Sequence, residues 1–197
     1  EPLLIASLLR TPLATAPHQQ IVYRDVARYD YLTLRTRIAK LARALSELGI
    51  TEGDTVAVMD WDSHRYLECY FAIPMMGAVL MTVNLRLASA QIAYTLQQAK
   101  ARVVLVHHDF VPLLTELRAQ LPLVMHAVLL EPEAADECPF NPRRLNYEDL
   151  LAVAAADFHF KEFDERAVAT TFFTTGTTGL PKAVCFTHRQ IMIHTLA

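Results

Sequence analysis

The sequence predicts an α/β protein, a doubly wound, largely parallel sheet flanked by helices. Three observations carry this. Between residues 20 and 130, short aliphatic and β-branched runs alternate with segments of helical periodicity. Several of those runs are apolar enough to be strands buried in the middle of a sheet. The chain itself, 197 residues with 53% hydrophobic and 20% charged side chains, has the apolar material for a sizeable core.

Residues 1–20 read as an N-terminal arm or dimerisation segment. Leu3, Leu4, Ile5, Leu8 and Leu9 crowd the stretch Pro2–Leu9, which is more apolar than a free terminus should be. That stretch is expected to dock, on its own chain or on a second copy. Residues 20–130 form the alternating strand and helix subdomain. Its clearest helix starts at Thr33, a candidate N-cap, carries Leu34, Ile38, Leu41, Leu45 and Leu48 at steps of four and three, and stops at Gly49. After the turn Thr51-Glu52-Gly53-Asp54 comes the strand 55–59. A helix then runs from Ser63 until Pro74 ends or kinks it. Val79–Val83 is the next strand, Ser89 the candidate cap of a helix through Ile92, Leu96 and Ala99, and Arg102–Val106 a strand rich in valine. Leu113–Ala119 fits a helix and Val124–Leu130 a strand. Residues 131–146, shifted toward Pro, Glu, Asp and Asn, form a surface excursion within the same domain. Residues 168–188 hold a strand, a Thr/Gly-rich loop and a second strand. The last residues, Ile191–Ala197, show an apolar helical pattern.

Composition excludes several classes of function. A net charge of −3 and a pI near 6.2, with acids and bases interspersed, leave no footprint for nucleic acid or an anionic membrane. The longest apolar stretch, Cys69–Met81, carries Pro74 and Gly77 and falls short of the roughly 20 residues of a membrane span. With no basic region leading into an apolar segment at Glu1-Pro2-Leu3-Leu4, a cytoplasmic location is expected. The three cysteines, Cys69, Cys138 and Cys185, are widely spaced and without a C-x-x-C pattern, and are expected to be reduced and mostly buried. No metal site is expected: His107-His108-Asp109, which could be offered as ligands, reads as a solvated turn at the end of a strand. Trp61, Met75-Met76 and Phe172-Phe173 read as core or rim packing.

One segment carries chemistry. Thr174-Thr175-Gly176-Thr177-Thr178-Gly179-Leu180-Pro181-Lys182 packs four Thr, two Gly, one Pro and one Lys into nine residues. Glycines let backbone N–H groups converge on an anion, hydroxyls add donors, and Lys182 adds a point charge suited to phosphate. A phosphate cradle is the physical reading, and a hairpin turn with an exposed lysine the plain alternative. A Walker A loop is excluded, because Leu180-Pro181 separates Gly179 from Lys182 and no Ser or Thr follows the lysine.

The whole segment resembles the signature phosphate-binding loop of the adenylate-forming superfamily: acyl-CoA synthetases, luciferase and peptide-synthetase adenylation domains. Upstream, His64-Arg65-Tyr66-Leu67-Glu68-Cys69-Tyr70-Phe71-Ala72-Ile73-Pro74, Gly77-Ala78-Val79 and Val83-Asn84-Leu85-Arg86-Leu87 resemble medium- and long-chain fatty acyl-CoA synthetases. Leu85 replaces the usual proline, and Ala183 stands where the family mostly has glycine. If that position needed a positive φ, Ala183 would store about 1–3 kcal/mol of strain. The resemblance implies an ATP-dependent fatty acid–CoA ligase: a carboxylate attacks the α-phosphate of Mg-ATP, and the thiol of coenzyme A then takes the acyl group. It assigns the β- and γ-phosphates to Thr174, Thr175, Gly176, Thr177, Thr178, Gly179 and Lys182, and sets His188 at the border of the substrate site. It further implies a homodimer formed through the N-terminal region. The residues for adenine, ribose and magnesium and the catalytic lysine all follow this loop in the family, so residues 1–197 correspond to the N-terminal portion of the large adenylate-forming domain, and no catalytic residue is assigned within them. A ligase or adenylation domain for an aromatic or short acid is the alternative within the superfamily, and a non-catalytic nucleotide-binding or interaction module the alternative outside it.

Overall fold

The computed structural model describes residues 2–131, 140, 145–175 and 179–196. Most of the expected excursion, Cys138 and the loop centre Gly176-Thr177-Thr178 lie outside the described residues. The chain opens with a 3-10 turn, Ile5–Leu9, that runs into α1 (Arg10–Thr15). A small antiparallel hairpin follows, β1 (Gln20–Tyr23) with β2 (Ala27–Asp30). Then come α2 (Tyr31–Glu47), β3 (Thr55–Met59), α3 (His64–Met75), β4 (Val79–Thr82), α4 (Ser89–Gln98), β5 (Ala101–Val106), α5 (Val111–Leu117), β6 (His126–Leu129), α6 (Tyr147–Val153), β7 (Val168–Thr174), β8 (Lys182–Thr187) and α7 (His188–Leu196).

The main sheet has the strand order β6-β5-β3-β4-β7-β8. All neighbours are parallel except β8, which runs antiparallel to β7 and caps the edge. Side chains alternate across each strand and sort into two cores. Val56, Val58, Leu80, Val103, Leu105 and Val128 pack under α2, α3 and α6 through residues such as Leu34, Ile38, Ile73 and Leu151. Ala57, Met59, Met81, Val104, Val106 and Leu129 pack under α4 and α5 through Ile92, Leu96, Leu114 and Leu117. Crossovers toward β4 and β7 therefore use one face, and crossovers toward β5 and β6 the other, as right-handed connections require. The chain leaves β3 and β5, which are neighbours, on opposite faces. Their carboxyl ends bound a crevice of the kind at which open α/β sheets bind ligands.

Three sequence expectations are corrected. The cap of α2 is Asp30, whose Oδ1 accepts from the Thr33 N–H at 2.8 Å, so Thr33 lies in the first turn and receives the cap. Gly49, at φ +85°, does end that helix: the Ile50 N–H reaches back to the Leu45 carbonyl at 3.0 Å. Ser89 is the first residue of α4, and its N-cap is Ala88, whose N–H is held by the Gln91 side chain at 3.4 Å. Cys185 is exposed on β8, while Cys69 is buried as expected, its thiol pushed well up by burial.

Leu85 sits in the turn Asn84–Leu87, where Asn84 Oδ1 accepts from the Arg86 N–H at 3.1 Å and the Asn84 carbonyl from the Leu87 N–H at 3.3 Å. Proline's fixed φ would suit that second turn position, and leucine fills it while packing on the core.

The N-terminal arm docks on its own chain. Leu4, Ile5 and Leu9 are buried, the Leu3 N–H donates to Glu165 Oε2 at 2.7 Å, and the Ile5 N–H donates to His188 Nδ1 at 3.3 Å. Met192 of α7 is buried beside it, so only Ile193 and Leu196 of the apolar end stand largely exposed.

The face under α2, α3 and α6 also holds a charged hub. Glu68 is fully buried. Its Oε1 accepts from Tyr29 Oη at 2.9 Å and Arg37 Nε at 2.7 Å, and its Oε2 from Tyr147 Oη at 2.6 Å. Arg37 grips Glu148 with both terminal nitrogens at 3.0 Å, and Arg65 Nε donates to the same carboxylate at 2.8 Å. Burial raises the Tyr29 and Tyr147 hydroxyls, and the Glu68 charge raises them further. For Glu148 burial acts upward, but Arg37 and Arg65 outweigh it and hold the carboxyl below its ordinary range. The hub ties β2, α2, α3 and α6 together, with every buried charge paired.

Candidate functional site

The Thr/Gly segment joins β7 to β8, so its context is strand, loop, strand. In the antiparallel register Phe173 pairs with Ala183 and Thr174 with Lys182, which fixes the two ends of the loop opposite each other. Phe173 is buried in the α4/α5 core and Pro181 is buried at the return, so the hairpin is anchored at its base. Beyond this base, Thr174, Thr175, Gly179, Leu180 and Lys182 are all exposed. The loop emerges from the carboxyl end of β7, on the same side of the sheet as the crevice between β3 and β5.

The polar groups there are not used by the fold. Among the described residues, the Thr174 and Thr175 hydroxyls and the Lys182 ammonium have no hydrogen-bond or ion-pair partner. Among the described residues, a Cβ built on Gly179 would meet nothing within 4 Å. The room beside Gly179 is what a phosphate approaching the backbone would need. The donors fit phosphate oxygens in kind, two hydroxyls and one ammonium on a rigid hairpin base. Ala183 lies in regular β8 backbone with no positive φ, so the strain considered for it does not arise.

His188 is not brought to the loop. It begins α7 at the far end of β8, fully buried, with its ring edge-on to Phe163 at 4.9 Å and under the N-terminal arm. Nδ1 accepts from Ile5, while Nε2 is buried without a partner. Burial alone pulls its pKa down to about 4, so the ring is neutral at pH 7.

At the crevice between β3 and β5, Trp61 is half exposed at the rim, packed at a tilt against Phe110 with ring centroids 4.8 Å apart, and donates from Nε1 to Asp109 at 2.9 Å. Sequence reasoning placed His107-His108-Asp109 at the end of a strand correctly but missed their neighbour Glu131, which β6 delivers from 23 residues away. No local pattern signals that approach. It follows from the parallel pairing of β5 with β6. No helix among the described residues is long and apolar enough to cross a membrane.

Comparison with known proteins identifies the hairpin's setting. The family model of AMP-binding enzymes matches residues 9–197. A long-chain-fatty-acid–CoA ligase of Thermus thermophilus is 38% identical over 173 residues, covering 88% of this chain and 30% of the ligase. A 3-methylmercaptopropionyl-CoA ligase of Ruegeria lacuscaerulensis is 32% identical over 201 residues, covering 100% of this chain and 37% of that enzyme. Among solved structures, an anthranilate CoA ligase in complex with anthranoyl-AMP superposes with a TM-score of 0.85 at 23% identity, over 96% of this chain and 36% of its own. The chain thus spans about a third of the length of the relatives it matches, and the region it matches contains the Thr/Gly hairpin. The chain belongs to the AMP-binding enzyme family.

Proposed function

We propose that the whole protein is an ATP-dependent fatty acid–CoA ligase and that this chain supplies the part that holds the nucleotide's phosphates. The observation that carries the reading is the hairpin: Thr174, Thr175 and Lys182 present donors with no partner among the described residues, beside an open Gly179, at the carboxyl end of a parallel strand. In the proposed reaction a carboxylate attacks the α-phosphate of Mg-ATP, pyrophosphate leaves, and the thiol of coenzyme A displaces AMP from the acyl-adenylate. Charge builds on the leaving pyrophosphate as the bond to the α-phosphorus breaks. Hydroxyls of Thr174, Thr175, Thr177 and Thr178, N–H groups at Gly176 and Gly179, and the Lys182 ammonium would stabilise it there. Because the hairpin base is packed, Thr174 and Lys182 face each other across it before the nucleotide arrives.

The fatty acyl assignment rests on the Thermus ligase. The Ruegeria relative supports a second reading, a ligase for a short acid, within the same chemistry. Trapping of activated acyl groups with hydroxylamine tests both. The full-length protein with Mg-ATP should give hydroxamate with medium- or long-chain acids, and the isolated 197-residue chain none, since a phosphate loop alone cannot orient the α-phosphate for attack. Trapping with short acids alone would favour the second reading. No trapping with any acid would remove both.

We infer that the enzyme works in the cytoplasm as a homodimer formed through its N-terminal region. The apolar side chains that suggested a partner, Leu4, Ile5 and Leu9, are taken up by the chain itself, so the dimer now rests on the resemblance. Light scattering of the full-length protein at micromolar concentration should give twice the chain mass, and a monomer mass would remove the inference.

A further inference from the structure

The carboxyl ends of β5 and β6 bring together a cluster the phosphate hairpin does not use. β5 ends at Val106, and the next backbone group is pinned where the His107 N–H donates to the Met59 carbonyl at 2.8 Å. β6 ends at Leu129, and the Leu130 N–H donates to the Val106 carbonyl at 3.0 Å. Two adjacent parallel strands therefore project His107 and His108 from one end and Glu131 from the other, at fixed backbone positions. The imidazoles stack with centroids 4.3 Å apart. His107 Nε2 lies 3.3 Å from Glu131 Oε1, and His108 Nδ1 lies 3.5 Å from Glu131 Oε2. The other two ring nitrogens face Asp109: His107 Nδ1 at 3.4 Å from Oδ2 and His108 Nε2 at 3.1 Å from Oδ1.

We propose that His107, His108 and Glu131 form a binding site for a divalent transition metal of the zinc class. One ligand atom from each of the three lies within 4.8 Å of the others. In a tetrahedral shell with bonds of about 2.0–2.1 Å, neighbouring ligand atoms stand about 3.3–3.4 Å apart. The two histidine-to-glutamate distances, 3.3 Å to Oε1 and 3.5 Å to Oε2, lie near that spacing. Two imidazoles with one carboxylate select zinc, cobalt, nickel or copper over magnesium or calcium, which take oxygen ligands. Asp109 stands outside the three, its carboxylate near the second nitrogen of each ring and held by the Trp61 indole; its backbone N–H donates to His107 Nδ1 at 3.2 Å, a contact that metal on His107 Nε2 would exchange for Nδ1–H to the carboxylate. His108 is half exposed, so an ion can enter and solvent can fill the remaining position. Glu131 Oε2 also accepts from the His108 N–H at 3.1 Å, which fixes the carboxylate beside both rings. Bound metal would clip the ends of β5 and β6 together at the crevice beside β3.

The test uses the full-length protein freed of metal by a chelator, titrated with zinc against a chromogenic competitor and separately with cobalt read by its ligand-field absorption. The wild type should take up zinc at this site, show a cobalt spectrum with nitrogen ligation, and gain in Tm on adding zinc. His108→Ala and Glu131→Gln, both at partly exposed positions, should keep the metal-free Tm of the wild type but lose the Tm gain and the cobalt spectrum. Asp109→Asn should weaken zinc binding by at least tenfold. No zinc uptake by the wild type, or uptake and spectra unchanged in both ligand variants, would overturn the site. Should either ligand variant unfold, the Asp109→Asn affinity decides.

Discussion

The Glu68 hub and the Thr174–Lys182 hairpin are both built from polar residues, and they differ in whether the fold uses those residues' bonding capacity. Around the buried Glu68, hydroxyl and guanidinium donors and two carboxylates meet one another and tie four elements together. At the hairpin the apolar anchors Phe173 and Pro181 do the packing, and the Thr174 and Thr175 hydroxyls and the Lys182 ammonium have no partner among the described residues. Polar groups that are consumed hold the structure. Polar groups that are left open on a rigid base are available to a ligand. His188 stands between the two cases, with one nitrogen consumed by Ile5 and the other buried and unpaired.

This contrast can be broken by experiment, starting where the largest effect is expected. Glu68→Ala removes the acceptor of the Tyr29 and Tyr147 hydroxyls and of Arg37 Nε, and should cost about 3–5 kcal/mol. Thermal unfolding of the full-length protein reads it as a large fall in Tm. A variant as stable as the wild type would mean that the hub is not structural.

A smaller effect is expected at His188. The unfolded ring takes a proton near its ordinary pKa of 6.5, whereas the buried ring resists until about pH 4. Between those values the unfolded state binds more protons, so stability rises with pH there and is lost as pH falls from about 6.5 toward 4. The loss should be roughly 2–3 kcal/mol at the acid end. It should also appear as faster hydrogen exchange at the Ile5 amide. His188→Gln lowers stability but should flatten that part of the pH profile. Equal slopes in the variant and the wild type would show that His188 is not the group responsible.

The sequence made some regions legible and hid others for physical reasons. The buried strands β3 and β5 and the helices α2 and α3 show because apolar runs and three-to-four spacing are local signals, and the Gly49 stop shows because a left-handed residue ends a helix wherever it falls. Capping was less readable. Asp30 and Thr33 both suit an N-cap, and only the backbone shows that the helix starts at Tyr31. The β1–β2 hairpin escaped notice because its four-residue strands mix Gln20, Arg28 and Asp30 with apolar residues, which blurs the alternation. Glu68 lies in a segment that reads simply as helix, with partners 39 residues before it and 79 residues after it. The loop was legible in composition and context, while the openness of Gly179 and the ordinary strand backbone of Ala183 needed coordinates.

Central to the account is the claim that the hairpin's open donors hold the phosphates of ATP. Fatty-acid-dependent exchange of pyrophosphate into ATP, measured on the full-length protein with Lys182→Gln, tests it most directly. Lys100→Gln serves as the control, an exposed lysine at the opposite end of the sheet. Lys182→Gln should change stability by less than about 0.5 kcal/mol, because its ammonium is exposed and has no partner among the described residues. It should slow exchange about ten- to a hundredfold, the equivalent of losing one charge-assisted hydrogen bond of about 1.5–3 kcal/mol. The control should exchange at the wild-type rate. Wild-type exchange by Lys182→Gln, or equal slowing in both variants, would contradict the assignment.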